Sequence, residues 1–315
     1  MCNARHWPHR RTAFTLIELL VVMALILVIF GLGVGYVVFG QDNQHSVTAA
    51  NAVTGAFVNN RGRAHRDGLP TGVRLLFGTN GVQPTQVSQL QLIQQPEDYN
   101  AGQIAASAGG TTVSFSQTDF QGGAGYMGQI DESTIQIGDY FTLSGVQTPH
   151  RIINIAGPVG GETLTLASAV GPLATGAPYN IIRAPRRLPS EDVIQLPPSM
   201  VIENGPLPGN PGLTFCQNLP QRTLVDSSSN MTVAEIVFAP SGAVIGQGTG
   251  ADKILLWLRD PAQPNATSGA PLLVSIQIRT GFISVYPVAP WAFGTAIAPG
   301  NDPYAYVKDG RASGM

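Results

Sequence analysis

Phe14-Thr15-Leu16-Ile17-Glu18-Leu19-Leu20-Val21-Val22 opens the run FTLIELLVVMALILVIFGLGVGYVVF over 14–39, and the reading of the chain turns on it. The run holds 26 residues and a single charge, Glu18. At about 1.5 Å rise per residue, a helix of that length exceeds the roughly 30 Å hydrocarbon core of a bilayer. Arg10 and Arg11 stand immediately in front of it, and basic flanks tend to stay cytoplasmic. The pattern predicts a transmembrane helix over 14–39 with the rest of the chain exported. A secretory signal has a shorter apolar core followed by a small-residue cleavage site; here no A-x-A site follows promptly. Glu18 is the anomaly. A carboxylate at mid-membrane costs on the order of 2.5–3.5 kcal/mol on insertion scales, so it needs a partner or a purpose.

The composition fits an exported β-rich body. Charged residues are 11% of 315, while Gly (37) and Pro (24) are abundant. That excludes a coiled coil and a charge-driven disordered tail, gives no ground for a nucleic-acid partner, and favours short strands joined by turns. The formal charge of −2 hides an asymmetry. Residues 1–13 contain Arg5, Arg10 and Arg11 and no acid, leaving 14 basic against 19 acidic side chains, a formal −5. Cysteines are Cys2 and Cys216 only, with no CxxC spacing, so packing alone must stabilise the exported part.

Arg10-Arg11-Thr12-Ala13 followed by Phe14-Thr15-Leu16-Ile17-Glu18-Leu19-Leu20 resembles the class III signal of type IV pilins and pseudopilins. The resemblance implies that a prepilin peptidase cuts between Ala13 and Phe14 on the cytoplasmic side and N-methylates the new amine. It also implies that Glu18, fifth in the mature chain, serves filament assembly. The residue before the cut is usually Gly in that family; Ala13 departs from this but is small, so processing is expected to survive, more slowly. The physics agrees with the assignment. The Phe14 amine would be positive in a low-dielectric setting, and Glu18 of a neighbouring subunit can neutralise it. A buried opposite-charge pair fixes axial register where apolar packing lets helices slide.

Gly31, Gly33, Gly35 and Gly40 interrupt the second half of the run. Small residues permit close helix packing, the preferred reading; a segment able to stretch within a filament is the alternative. The helical pattern continues over 41–66, with Val47, Ala50, Val53, Phe57, Arg61 and Ala64 as a weakly apolar stripe. Asp67-Gly68 and Pro70 supply a stop. Arg61, Arg63, His65 and Arg66 read as a solvated helix end, favoured there by the helix dipole, in preference to a polyanion site.

Strands are expected at Gly72–Phe77, Gln89–Gln94, Thr134–Leu143, His150–Ile155, Thr163–Leu166 and Tyr179–Arg183. A second set is expected at Val193–Leu196, Met200–Ile202, Met231–Phe238, Ile254–Leu258, Leu272–Ile278 and Phe282–Pro287. Glu235–Ala243, with Phe238-Ala239-Pro240-Ser241-Gly242, is similar to the F-x-P-x-G passage of H-type minor pseudopilins. Ser275–Val285 resembles their closing hairpin, Leu196–Ile202 their LP-x-x-V strand, and Arg61 to Gly68 the end of their long helix. Residues 96–185 have no counterpart in that family and read as an inserted β-rich subdomain, a small barrel or sandwich.

The expected fold class is α+β: a long N-terminal transmembrane helix (14–66) packed on an antiparallel, pilin-like head. The head comprises 70–95 and 186–290, the insertion 96–185, and a C-terminal tail 291–315, with a basic leader at 1–13. Trp291, Phe293, Tyr304 and Tyr306 in that tail form either a docking segment or a mobile end.

Catalytic chemistry is not evident. Gly123-Ala124-Gly125-Tyr126-Met127-Gly128 has G-x-G-x-x-G spacing but lacks the preceding buried strand and following helix of a dinucleotide site. His45, His65 and His150 are not at metal spacing, and His150 reads as a strand-edge surface residue. Asp131, Glu132 and Asp139 read as a solvated acidic turn, with a Ca²⁺ site as the alternative. No cofactor and no enzymatic activity are expected. The expected partners are a prepilin peptidase, other pseudopilin or pilin subunits, an inner-membrane assembly platform and the lipid bilayer. Localisation would be the bacterial inner membrane, single-pass, with the C-terminal part periplasmic. The leading function is a minor pseudopilin-like subunit of a type II secretion-like filament. The alternatives are a minor type IV pilus subunit for adhesion, motility or DNA uptake, and a membrane-anchored ligand- or glycan-binding β domain.

Overall fold

The computed structural model describes residues 16–78, 83–105, 107, 109–118, 120, 135–144, 148–158, 160–188, 193–225, 230–245 and 251–309, and of 31–43, 225 and 230 the backbone alone. The protein is α+β, with an N-terminal helix and antiparallel sheets. Its contacts divide it into a unit of residues 1–44 and a unit of residues 45–315.

Helix α1 runs Leu16–Asp67. No proline interrupts it, and it stops where Gly68 takes φ 70° and returns its N–H to the Ala64 carbonyl at 3.1 Å. Only a residue tolerant of the left-handed region closes a helix this way. From His45 onward α1 buries Ala49, Val53, Ala56, Phe57, Asn60 and Ala64, mostly small side chains that bring the backbone close to a sheet. Val47, expected in that stripe, is 53% exposed. It lies six residues from Val53, and at 3.6 residues per turn that is about 120° round the helix. Asn60 takes a place in the stripe instead, donating to the Ala56 carbonyl at 2.7 Å.

The strands that follow are β1 Thr71–Phe77, β2 Gln86–Gln94, β3 Gln103–Ile104, β4 Gly110–Ser116, β5 Tyr140–Leu143, β6 His150–Ala156, β7 Thr163–Val170 and β8 Tyr179–Ile182. After them come β9 Arg186–Arg187, β10 Ile194–Gln195, β11 Val201–Glu203, β12 Gln221–Val225 and β13 Asn230–Phe238. The last are β14 Val244–Ile245, β15 Lys253–Arg259, β16 Leu272–Gln277 and β17 Ile283–Pro287, then a short helix α2, Ala305–Asp309.

The larger sheet runs β12-β13-β1-β2-β11-β15-β16-β17, with β9 and β10 beside β2 and β14 beside β13. One face packs on α1, where the Phe57 ring meets Phe238 edge-on at 6.2 Å. β15 shows why its sequence lacks clean alternation: both its faces are buried. Ile254, Leu256 and Leu258 join the core that contains Phe57, whereas Leu255 and Trp257 join Phe215, Trp291, Tyr304 and Val307 on the other face. The C-terminal segment therefore packs on its own domain as far as α2, which corrects the reading of these residues as a mobile end. Tyr304 donates its hydroxyl hydrogen to the Phe215 carbonyl at 2.9 Å, and its ring packs edge-on to Trp257.

The second sheet runs β3-β4-β7-β6-β5-β8. Bridges Tyr99↔Ile181 and Ser107↔Leu173 tie the chain around β3 back toward β8, so this sheet curls round its own core instead of forming a two-sheet sandwich. Phe115 is the hub, within 5.0 Å of both Phe120 and Tyr179 and 6.1 Å of Phe141. The strand expected from Thr134 begins only at Tyr140. Gly138 at φ 101° turns the chain there, and the Asp139 carboxylate accepts from the Gln136 N–H at 2.8 Å to hold the turn.

Candidate functional site

The residues the sequence singles out most strongly lie at the start of α1. Ala13 and Phe14 fall outside the described residues. Glu18 stands in the first turn of α1, exposed, where a carboxylate favours the helix N-terminus. The large apolar side chains from Leu16 to Phe30 are also exposed, Leu16 at 82% and Phe30 at 70%. Apolar exposure of this extent marks a surface that meets protein or lipid. Among the described residues no helix is long and apolar enough to cross a membrane. The side chains of 31–43 lie outside that description, so the run Phe14–Phe39 falls only partly within it.

At the other end of α1, the His65 imidazole Nδ1 lies 3.1 Å from the Pro240 carbonyl oxygen. Arg61 approaches the loop Pro240-Ser241-Gly242, where a Cβ on Gly242 would sit 3.1 Å from its Nε. Arg66 pairs with Asp67 at 2.7 Å in solvent. The basic helix end is thus partly solvated and partly folded onto the loop after β13.

The deepest concentration of charge lies where the two sheets meet. Arg74 on β1 stands directly across from Glu235 on β13 and from Gln91 on β2. Its Nε donates to Glu235 at 2.7 Å, its Nη1 to Gln91 at 3.0 Å and its Nη2 to the Pro185 carbonyl at 2.9 Å. Arg222 on β12 shares Glu235, also at 2.7 Å. Arg186 on β9 reaches into the second sheet, pairing with Asp139 at 2.7 Å and donating to the Gln136 side-chain oxygen. Burial pushes the Arg222 pKa down, Glu235 opposes the shift and Arg74 adds to it. A cleft of about 330 Å³ opens beside these groups.

Two expectations are corrected here. Asp139 is fully buried, not part of a solvated turn; its carboxylate accepts from the Ala184 and Gln136 N–H groups, both at 2.8 Å, besides Arg186. Those donors occupy it, which removes it as a calcium ligand. Asp131, Glu132 and the Gly123–Gly128 segment lie outside the described residues. His150 is buried, with Nδ1 2.8 Å from Ser168 Oγ; it begins β6 between β7 and β5, an inner position that sequence spacing does not show.

Two other buried carboxylates were not singled out by the sequence. Glu203 accepts from Gln86 Nε2 at 2.8 Å and the Gly205 N–H at 3.0 Å. Glu162 accepts from Thr118 Oγ1 and from the Phe120 N–H at 3.1 Å. Each is neutralised or hydrogen-bonded in place and reads as a brace. Among the described residues no group of three or more His, Cys, Asp or Glu side chains is placed to hold a metal ion. Cys216 is buried and donates to the Glu203 carbonyl at 3.1 Å. Burial pushes its thiol pKa up to about 12, so it is not an activated nucleophile.

Residues 8–34 match the family model of the prokaryotic N-terminal methylation motif. No curated protein and no solved structure was found to match the chain. The chain thus carries a prepilin-type signal, the mark of type IV pilin-like and pseudopilin subunits. That signal implies processing by a prepilin peptidase and assembly with other pilin-type subunits.

Proposed function

We propose that the chain is a minor pseudopilin-like structural subunit, not an enzyme, of a type II secretion-like filament in a two-membrane bacterium. It is cleaved after Ala13, methylated at Phe14 and held in the inner membrane by the helix over 14–39. An assembly platform then draws it into the filament with the β-rich part periplasmic. The observation that carries this reading is Glu18, fifth residue of a chain beginning at Phe14, inside a motif that covers residues 8–34. The exposed apolar side chains around it fit burial in lipid before assembly and in a helical core after it.

The likeness to H-type minor pseudopilins supports the finer assignment. Its F-x-P-x-G passage is the end of β13 with the loop after it, and its closing hairpin is β16–β17. Its LP-x-x-V strand leads into β11, and all three belong to the sheet that packs on α1. Residues 96–185, whose strands make the second sheet, are an insertion displayed by that sheet.

The test is the intact mass and N-terminal peptide of the membrane-extracted protein. A chain starting at N-methyl-Phe14 is expected; one starting at Met1 would sink the proposal. Deleting the gene then separates the machines. Lost export of secreted enzymes supports the secretion filament, whereas lost piliation or twitching assigns a type IV pilus. With neither effect, a membrane-anchored ligand-binding domain is left. Glu18→Ala is expected to leave cleavage largely intact and to reduce the protein recovered in filaments at least several-fold. Normal incorporation would remove the register argument.

A further inference from the structure

Four arginines, Arg74, Arg151, Arg186 and Arg222, line the cleft beside Glu235 and Asp139. Among the described residues the carboxylates paired with them are two: Glu235, shared by Arg74 and Arg222, and Asp139 on Arg186, which also has a further interaction. Arg151, on β6, is exposed and makes no ion pair among the described residues. Among the described residues the cleft therefore holds two positive charges more than the acids paired with them. A buried brace does not need such a surplus; two like charges sharing one carboxylate weaken it.

A second observation points the same way. Gln136 also lines the cleft, and its amide nitrogen is buried with no hydrogen-bond partner among the described residues. An unsatisfied buried donor disfavours the empty site by roughly 1–3 kcal/mol and is expected where a partner is missing. The other polar groups at the rim, Tyr140, Gln221 and Thr223, can each donate a hydrogen bond. The cleft asks for an acceptor that carries negative charge. The burial-lowered pKa of Arg222 and the contribution of Arg74 to it agree, since an added anion would relieve both.

We infer that this cleft binds a small organic carboxylate, of the size of one sugar-acid or amino-acid unit, clamped by Arg151 and Arg222 with the Gln136 amide as a third donor. The volume of about 330 Å³ sets the size class, at the lower end of small-ligand pockets. Guanidinium groups match a carboxylate bidentately, which sets the chemistry. The position, at the junction of the two sheets, would let the ligand bridge Arg151 on β6 and Arg222 on β12.

The experiment is isothermal titration of the detergent-extracted full chain with glucuronate, N-acetylglutamate, inorganic phosphate and neutral glucose. Saturable one-to-one binding of glucuronate or N-acetylglutamate, weakened by salt, is expected, and the tighter of the two tells a saccharide source from a peptide source. Arg151→Gln, at an exposed position that leaves the buried pairs untouched, should weaken that binding about tenfold, as for one lost charge-assisted hydrogen bond. Gln136→Leu should weaken it less, because only a neutral donor is lost. Three outcomes would overturn the inference: no binding of either carboxylate, phosphate binding as tightly as the better carboxylate, or undiminished binding by the Arg151→Gln chain. None of these bears on the N-terminal processing, so the inference and the proposed function fail separately.

Discussion

Gly281 sits against Gly242 so closely that a Cβ on Gly281 would lie 2.0 Å from the Gly242 carbonyl oxygen. The β16–β17 turn and the loop after β13 thereby lock together, with the Val244 N–H donating to the Ile278 carbonyl at 2.8 Å beside them. Gly281 also has φ 60°, so a side chain there is strained even apart from the contact. Gly281→Ala is expected to destabilise the protein by about 2 kcal/mol or more, since the left-handed backbone alone costs ~1–2 kcal/mol. Urea unfolding followed by tryptophan fluorescence measures it, and a shift below about 0.5 kcal/mol would show that the loops part easily.

Arg74 and Glu235 are both nearly inaccessible, and each is the other's direct cross-strand neighbour. Glu235→Gln leaves Arg74 and Arg222 without their shared carboxylate. A loss of about 3–5 kcal/mol is expected, as for other broken buried pairs. The double change Arg74→Met with Glu235→Leu should cost less than Glu235→Gln alone, because only Arg222, whose side chain is 29% exposed, is then left without its carboxylate, and the nearly inaccessible Arg74 charge is gone. A double variant no better than the single would mean that the pair is worth more than its desolvation.

Cys216 gives a pH dependence with a definite sign. Its folded pKa is raised from 9.0 to about 12 by burial, so folding favours the protonated thiol. The contribution is fully present below pH 9 and is lost as pH rises toward 12, at a slope on the order of 1 kcal/mol per pH unit. Burial raises the Tyr179 and Tyr304 hydroxyls in the same direction. Cys216→Ala should therefore flatten the alkaline fall in stability without abolishing it. In the native protein the thiol should resist alkylation at pH 8 and react fully in denaturant; rapid native alkylation would contradict the burial.

Trp257 holds the far face of the larger sheet, with Phe215 and Tyr304 both edge-on to its ring. Trp257→Ala is expected to cost ~3–5 kcal/mol. Tyr304→Phe, which keeps the ring and loses the donor to the Phe215 carbonyl, should cost ~1 kcal/mol. Thermal denaturation of the two variants checks the ratio. Equal losses would show that the hydroxyl, not the ring stack, fastens the C-terminal segment.

The prepilin-type signal, the helix stop at Asp67-Gly68 and most of the strands are legible in the sequence, since each is written in local chemistry. The apolar run with its one carboxylate, glycine after the helix and the short apolar stretch of β1 need no distant partner to be recognised. Strand β4 is obscured in the sequence although residues 111–116 alternate, because the glycines before it read as loop. Strand β12 is obscured because Gln221–Val225 has little apolar character of its own; pairing with β13 makes it a strand. The burial of Asp139, Glu162, Glu203 and Glu235, and the meeting of Arg74, Arg151, Arg186 and Arg222 in one cleft, come from the packing of the strands. Charged side chains carry no periodic mark of burial in sequence. Their environment is set by which strands become neighbours, and the separation of 161 positions from Arg74 to Glu235 is closed only by the pairing of β1 with β13.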